Sequence, residues 1–255
     1  MVFSVSSLKG VSLHATNGDI GSLRDLYIDD FSWVVRYFVA ETGPLIFGKE
    51  VLISPASVEA IDPQAHRIHV DLTVDEIKGS PSIDLRKPVS RREEERFLQY
   101  YNLTPYWAGP DIWATAAYAR GLPSLEEERP EEEESETKAD DSESRLRSCV
   151  EIRGYAVEGF GGAAGYVEDF LAEYETWKVR YIVIDTHKIF PGKRVLVSPD
   201  WVEEIRWTDR TVRVGLDNEV MKNAPSFEGV NELDDGYEAT LREHYGTEPG
   251  ASEDA

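Results

Sequence analysis

The chain has 255 residues, 41% of them hydrophobic and 30% charged, which supplies a core and leaves room for one large domain or two small ones at roughly 100–200 residues each. Its 49 acidic residues outnumber 27 basic ones, for a formal net charge of −22; such a surface repels phosphate, so direct nucleic-acid binding and adhesion to anionic membranes are not expected. A single cysteine, Cys149, excludes an intramolecular disulfide and a thiolate metal site, and agrees with a reducing compartment.

The first residues, MVFSVSSLKG, lack the basic start and apolar run of a secretory signal. No stretch approaches the roughly 18 apolar residues of a spanning helix. A cytoplasmic location without a transmembrane segment is therefore the expectation. The dominant feature is an internal repeat. Shifted by 144 positions, residues 18–82 fall on 162–226 without a gap, with about 23 identities in roughly 65 positions, a density that marks a duplication.

In the first copy, Gly18 and Gly21 flank a turn sequence, and glycine supplies the positive φ that a hairpin uses. Residues 21–28 and 33–40 are rich in β-branched and aromatic types and read as strands. Lys49–Ser54 is a further strand, stopped by Pro55, which cannot donate to a ladder. Arg67–Leu72 alternates and reads as the next. Thr73 and Glu76 have capping-box spacing, which predicts a short helical turn. Ser90 and Glu93 repeat that spacing before RREEERFLQYY, which predicts a helix of about three turns.

Residues 100–118 are then rich in Tyr and Trp, among them Tyr106 and Trp107. Residues 126–145, EEERPEEEESETKADDSESR, cannot bury apolar surface and are expected to be a disordered acidic tether. The second copy follows with Gly162, Gly165, Asp169, Trp177, Tyr181 and Gly192-Lys193 on the positions of Gly18, Gly21, Asp25, Trp33, Tyr37 and Gly48-Lys49. Asp217 offers a cap in place of Thr73, and Asp234 precedes a second terminal helix, DGYEATLREHY. Several short strands at regular spacing predict a small barrel or sandwich in each half: a first unit at 1–85, a helix and aromatic segment at 86–120, the linker at 121–146, a second unit at 147–228 and a helix and tail at 229–255.

Strand alternation puts Trp33, Val35, Tyr37 and Val39 on one face, with Trp177, Val179, Tyr181 and Val183 as its repeat, and identity in both copies marks a core face. Arg36 and Arg180 then belong on the opposite face, beside Phe38 and Ile182. Either each arginine pairs across strands with Asp25 or Asp169, or it centres a docking surface, where arginine is enriched. Lys49 and Lys193 follow turn glycines; a lone Gly-Lys is too short a signal for a phosphate loop.

The pattern G-x-x-G-x-x-x-D, W-x-V-R-Y-x-V and G-K-x-V-L-x-S-P, present twice, resembles the PRC-barrel family. The family includes the cytoplasmic domain of the photosynthetic reaction-centre H subunit and the C-terminal domain of a small-ribosomal-subunit maturation factor. The resemblance spans residues 5–82 and 149–226 and is nearest to tandem stand-alone proteins, which carry a similar stretch to Lys87-Pro88-Val89-Ser90-Arg91 and a similar aromatic tail. It implies a mainly β fold: two small PRC-type β-barrels from an internal duplication, each followed by a short helix and joined by an acidic disordered linker. It also implies an adaptor fold without shared catalytic residues.

The residues themselves give no catalytic set. None of His14, His66, His69, His187 and His244 has a histidine at the repeated position, and His66 and His69, three apart on a strand, point to opposite faces. Cys149 has no base near it in sequence. No catalytic residue, cofactor or metal is therefore expected. The expected function is a non-enzymatic protein-interaction adaptor, with Arg36, Arg180, Lys49, Lys193, Tyr106 and Trp107 as candidate contacts. The alternative is an assembly or maturation factor for a ribosomal or membrane complex, with peripheral association. Open barrel edges also admit a homodimer.

Overall fold

A computed structural model describes residues 2–43, 48–62, 65–84, 89–107, 145–186 and 192–246. The acidic tether up to residue 144, the aromatic stretch beyond Trp107, Lys87-Pro88 and His187 lie outside the described residues. The chain divides into two compact units, residues 9–146 and residues 1–8 with 147–255. The first eight residues thus belong with the second repeat: β1 (Val2–Ser4) pairs antiparallel with a strand of that unit, placing Val2, Phe3 and Ser4 opposite Glu173, Ala172 and Leu171.

The first unit holds β2 (Ser12–Ala15), β3 (Gly18–Asp29), β4 (Val35–Thr42), β5 (Lys49–Ile53), β6 (Val58–Asp62) and β7 (Arg67–Val70). They form a curled sheet in the order β5-β4-β3-β2-β7-β6, antiparallel except for the β2–β7 pair, and a seventh strand, β8 (Leu146–Ser148), adds to β3. Helices α1 (Val74–Gly79) and α2 (Arg91–Tyr100) start at full capping boxes on Thr73 and Ser90, as their spacing predicts. Gly21 is needed for a close approach: a Cβ there would stand 1.9 Å from the Glu41 carbonyl oxygen.

Both faces of this sheet are buried. Leu26, Phe38 and Ile53 are cross-strand neighbours on the inner face and lie at or near zero exposure. Tyr27, Tyr37, Val39 and Leu52 form the outer face, which packs against Phe97 and Leu98 of α2 together with Ile83 and Val89. Burying one such aromatic side chain contributes about 2–3 kcal/mol, so α2 is held by its apolar stripe.

The second unit repeats the plan with α3 (Cys149–Ile152), β9 (Ala156–Phe160), β10 (Gly162–Glu173), β11 (Val179–Asp185), β12 (Arg194–Val197), β13 (Val202–Arg206), β14 (Thr211–Asp217), α4 (Asn218–Asn223) and α5 (Asp235–Tyr245). The order is β12-β11-β10-β9-β14-β13, with β9 and β14 parallel and β1 added to β10. Asp217 and Asp234 cap α4 and α5 through their side chains. Leu171, Val183 and Leu196 make the outer face, under Leu241 of α5 and Phe227.

Two details depart from simple alternation. Trp33 and Trp177 are buried but precede their strands, in the left-handed region at φ 55° and 57°, and each amide closes a turn onto Asp29 or Glu173. The other departure is a β-bulge. Tyr27 faces Tyr37 and Ile28 faces Val35, so Arg36 has no partner residue; Leu171 faces Tyr181 and Ala172 faces Val179, so Arg180 has none either. A bulge bends the strand and re-aims the extra side chain. Both arginines therefore leave the Phe38 and Ile182 face and turn toward the helix that covers the outer face.

Candidate functional site

The bulged arginines organise the same place in each unit, with different outcomes. In the first, Arg36 donates to Ser32 Oγ at 3.1 Å, and its guanidinium lies 4.2 Å from the centre of the Tyr106 ring. Asp29, fully buried, holds the adjoining turn by accepting from the Phe31 and Ser32 amides and the Ser32 hydroxyl. After α2 the chain turns through Asn102 at φ 50° and returns over the barrel. Tyr106, only 7% exposed, donates its hydroxyl to Glu94 Oε1 at 2.8 Å. Glu94 also pairs with Arg91 at 3.3 Å, and Arg91 stacks 3.9 Å from the Trp107 ring centre. The result is a closed stack of cation, phenol, carboxylate, cation and indole.

Burial works against charge here. It lowers the Arg36 pKa despite the neighbouring Asp29. Burial first, then the Glu94 charge, raises the phenols of Tyr37 and Tyr106 well above their ordinary value.

In the second unit, Glu238 stands 144 positions after Glu94, on α5. Among the described residues, Glu238 accepts from Arg180 Nη2 at 3.1 Å and from the Tyr181 hydroxyl at 3.2 Å. Arg180 also pairs with Glu173 at 2.5 Å, yet its side chain keeps 37% exposure. Burial again opposes its charge, but the Glu173 hydrogen bond and the Glu238 charge outweigh that and raise its pKa. Beside it opens a cleft of about 250 Å³ lined by Lys178, Arg180, Tyr181, Ser198, Asp200 and Arg242.

The expected cross-strand Asp–Arg pair is not what engages Arg180 or Asp169. Asp169 instead accepts from Ser4 Oγ at 2.5 Å, from the Ser6 amide at 3.0 Å and from Ser6 Oγ at 2.6 Å, fastening the N-terminal segment to β10. Phe3 adds ring contacts to Tyr174 and Trp177 at 4.4 and 5.8 Å. Asp25 accepts from the Leu26 amide, as Asp169 does from Phe170. Lys49 donates Nζ to the Ser80 carbonyl at 2.7 Å, and Lys193 does the same to the Ala224 carbonyl. Each lysine thus serves the C-terminal end of the helix after its barrel, α1 or α4. Tyr106 and Trp107 pack back on their own barrel.

His69 pairs with His14 on the parallel strand β2, with ring centres 5.5 Å apart. His14 Nδ1 lies 2.7 Å from Asp19. In the second copy the matching cross-strand pair is Glu158 and Arg213, so the position hosts an ordinary strand pair. Cys149 is buried in α3. No cluster of three or more His, Cys, Asp or Glu able to hold a metal occurs among the described residues. No described helix is long and apolar enough to cross a membrane.

Residues 1–77 match the model of the PRC-barrel domain. The chain carries a PRC-barrel domain. The second curled sheet repeats the first strand for strand, with the same parallel closure, which makes the arrangement tandem. No curated protein matches the chain. The PRC-barrel fold is a binding fold. Sequence reasoning found Arg36, Arg180 and Tyr106 but passed over Glu94, Glu238, Arg91 and Arg242. Glu94 and Glu238 carried a signal: they are identical at the same 144-residue offset, on helices whose caps also repeat.

Proposed function

We propose that this tandem PRC-barrel chain is a non-enzymatic adaptor whose docking surface is the Arg180 face of the second unit. The carrying observation is the asymmetry between the repeats. Arg36 is covered by Tyr106 at 4.2 Å, whereas Arg180, in the same bulge and beside the same glutamate, borders an open cleft of about 250 Å³. Ligand pockets for small molecules run roughly 300–1,000 Å³, so the cleft suits one side chain of a protein partner better than a metabolite. Arginine beside tyrosine is the composition of an interface anchor. In this reading the first unit is the closed copy, and its arginine, repeated at Arg180, holds its own tail.

The test is capture of partners from native lysate by wild-type chain, Arg180→Ala and Arg36→Ala, each checked for folding and each with and without nuclease. A protein partner retained by wild type and Arg36→Ala and lost with Arg180→Ala, in both nuclease conditions, supports the reading. Equal recovery by all three sinks it. The identity of a captured partner, ribosomal, membrane-associated or other, assigns the process.

A further inference from the structure

We propose that the cleft beside Arg180 receives a tyrosine side chain from a partner polypeptide that carries acidic residues next to it. This rests on the adaptor reading and names what the surface recognises.

The duplication supplies the occupant. In the first unit, the segment after α2 lays Tyr106 over the bulged Arg36 and hands its hydroxyl to Glu94. The elements that receive Tyr106 are repeated in the second unit: the bulge at Arg180, Tyr181 for Tyr37, Glu238 for Glu94, and the cap and helix that carry it, whereas Arg91, which seats Trp107, falls on Asp235. The occupant is not repeated. The positions of Tyr106 and Trp107 fall on Gly250 and Ala251, although Pro105 and Pro249 still match. Neither glycine nor alanine can supply a ring for the guanidinium or a hydroxyl for the carboxylate. The receptor half of the contact has been kept and the ligand half has not.

The lining indicates the flanking charge. Val34 and Leu98 of the first unit correspond to Lys178 and Arg242. Both line the cleft and both are exposed. Where the first unit has two apolar residues, the second presents two cations, with Asp200 in the place of Ala56 as the only acid of the lining. Glu173 and Glu238 offset the charge of Arg180, so the net charge left to meet a ligand is that of Lys178 and Arg242. In a chain of net charge −22 a local cationic rim selects for an acidic approach. The ring of a bound tyrosine stacks on Arg180, its hydroxyl reaches Glu238, and its acidic neighbours meet Lys178 and Arg242.

The probe is a fluorescent peptide bearing Thr-Pro-Tyr-Trp, the sequence of residues 104–107, between glutamates. Its relatives have Tyr→Ala, Tyr→Phe, or lysine flanks, and binding to the full chain is read by anisotropy. Saturable binding is expected. It weakens about tenfold with Arg180→Ala, the scale of a desolvated cation–π contact, and less with Arg180→Lys. It weakens with the Tyr→Ala peptide and is unchanged by Arg36→Ala. Arg242→Glu is expected to reverse the preference for acidic over basic flanks. Equal binding of the Tyr→Ala peptide, or none by the wild-type chain at millimolar peptide, overturns the inference. So does competition by free tyrosine as strong as by the peptide, which would make the site a small-molecule pocket. The adaptor reading fails separately: an Arg180-dependent partner captured by a chain that ignores these peptides leaves the adaptor standing and removes the tyrosine code.

Discussion

Replacing Tyr106 by alanine removes three things at once: a ring that is 93% buried, by its 7% exposure, its stack on Arg36 and its hydrogen bond to Glu94. Truncating a buried aromatic costs about 3–5 kcal/mol. The cation–π contact is worth about 1–2 kcal/mol when partly desolvated. A hydrogen bond to a charged group adds about 1.5–3 kcal/mol. These do not sum, because the segment lies at the surface and water reaches Arg36 and Glu94 once the ring is gone. A net loss of about 3 kcal/mol is expected for the first unit. Tyr106→Phe keeps the ring and loses only the hydrogen bond, so about 1–2 kcal/mol is expected. Because two units need not unfold together, the assay is native-state hydrogen exchange read on peptides from β4 and α2, with β11 and α5 as internal reference. Faster exchange in the first unit alone, larger for Tyr106→Ala than for Tyr106→Phe, is the expected result. Two variants within about 0.5 kcal/mol of wild type would refute the docked tail and, with it, the contrast on which the open cleft rests.

Gly21→Ala puts a methyl carbon against the Glu41 carbonyl; strain of about 3 kcal/mol or more is expected, read as a lower urea midpoint for the first unit. Asp169→Ala removes the acceptor of Ser4 and Ser6; limited proteolysis is expected to cleave before residue 9 while the second unit stays folded, and an unchanged cleavage rate would contradict the assigned role. Lys193→Met leaves the Ala224 carbonyl without its ammonium donor; a loss of about 1–2 kcal/mol, with peptide binding at the cleft unchanged, is expected in chemical denaturation. The phenols of Tyr37 and Tyr106 are raised in the folded state by burial and by Glu94, so the stability they contribute is complete below the ordinary phenol value of 10.0 and is lost as pH rises above it. Tyr101, pushed up to about 12 by burial, acts in the same sense. Melting temperatures from pH 8 to 11 should fall at the alkaline end, less steeply for Tyr106→Phe.

Local chemistry was legible wherever neighbours in sequence are neighbours in space. The caps at Thr73, Ser90, Asp217 and Asp234 act as their spacing predicts, because an N-cap needs only the two or three residues after it. The repeat also disclosed the tandem plan, since two copies under one set of packing constraints retain the same glycines, tryptophans and arginines. The alternation rule, by contrast, misplaced Arg36 and Arg180. A bulge adds one residue against the partner strand, and a single strand read alone has no partner to count against. Trp33 and Trp177 likewise read as the first strand residue, though their backbone lies in a turn.

Residues 1–8 show the same limit at longer range. Their own repeat lies next to them in the chain, yet β1 completes the sheet of the second unit, where Asp169 and the Trp177 ring receive it. Sequence alone determined the duplication, four of the strands in each copy, the caps and the identity of the two arginines, because these depend on residue type and short spacing. Only the tertiary structure decided that one arginine is capped by Tyr106 and the other borders a cleft. That outcome depends on where a tail lands about 70 residues from the arginine it covers, and no local rule carries that distance.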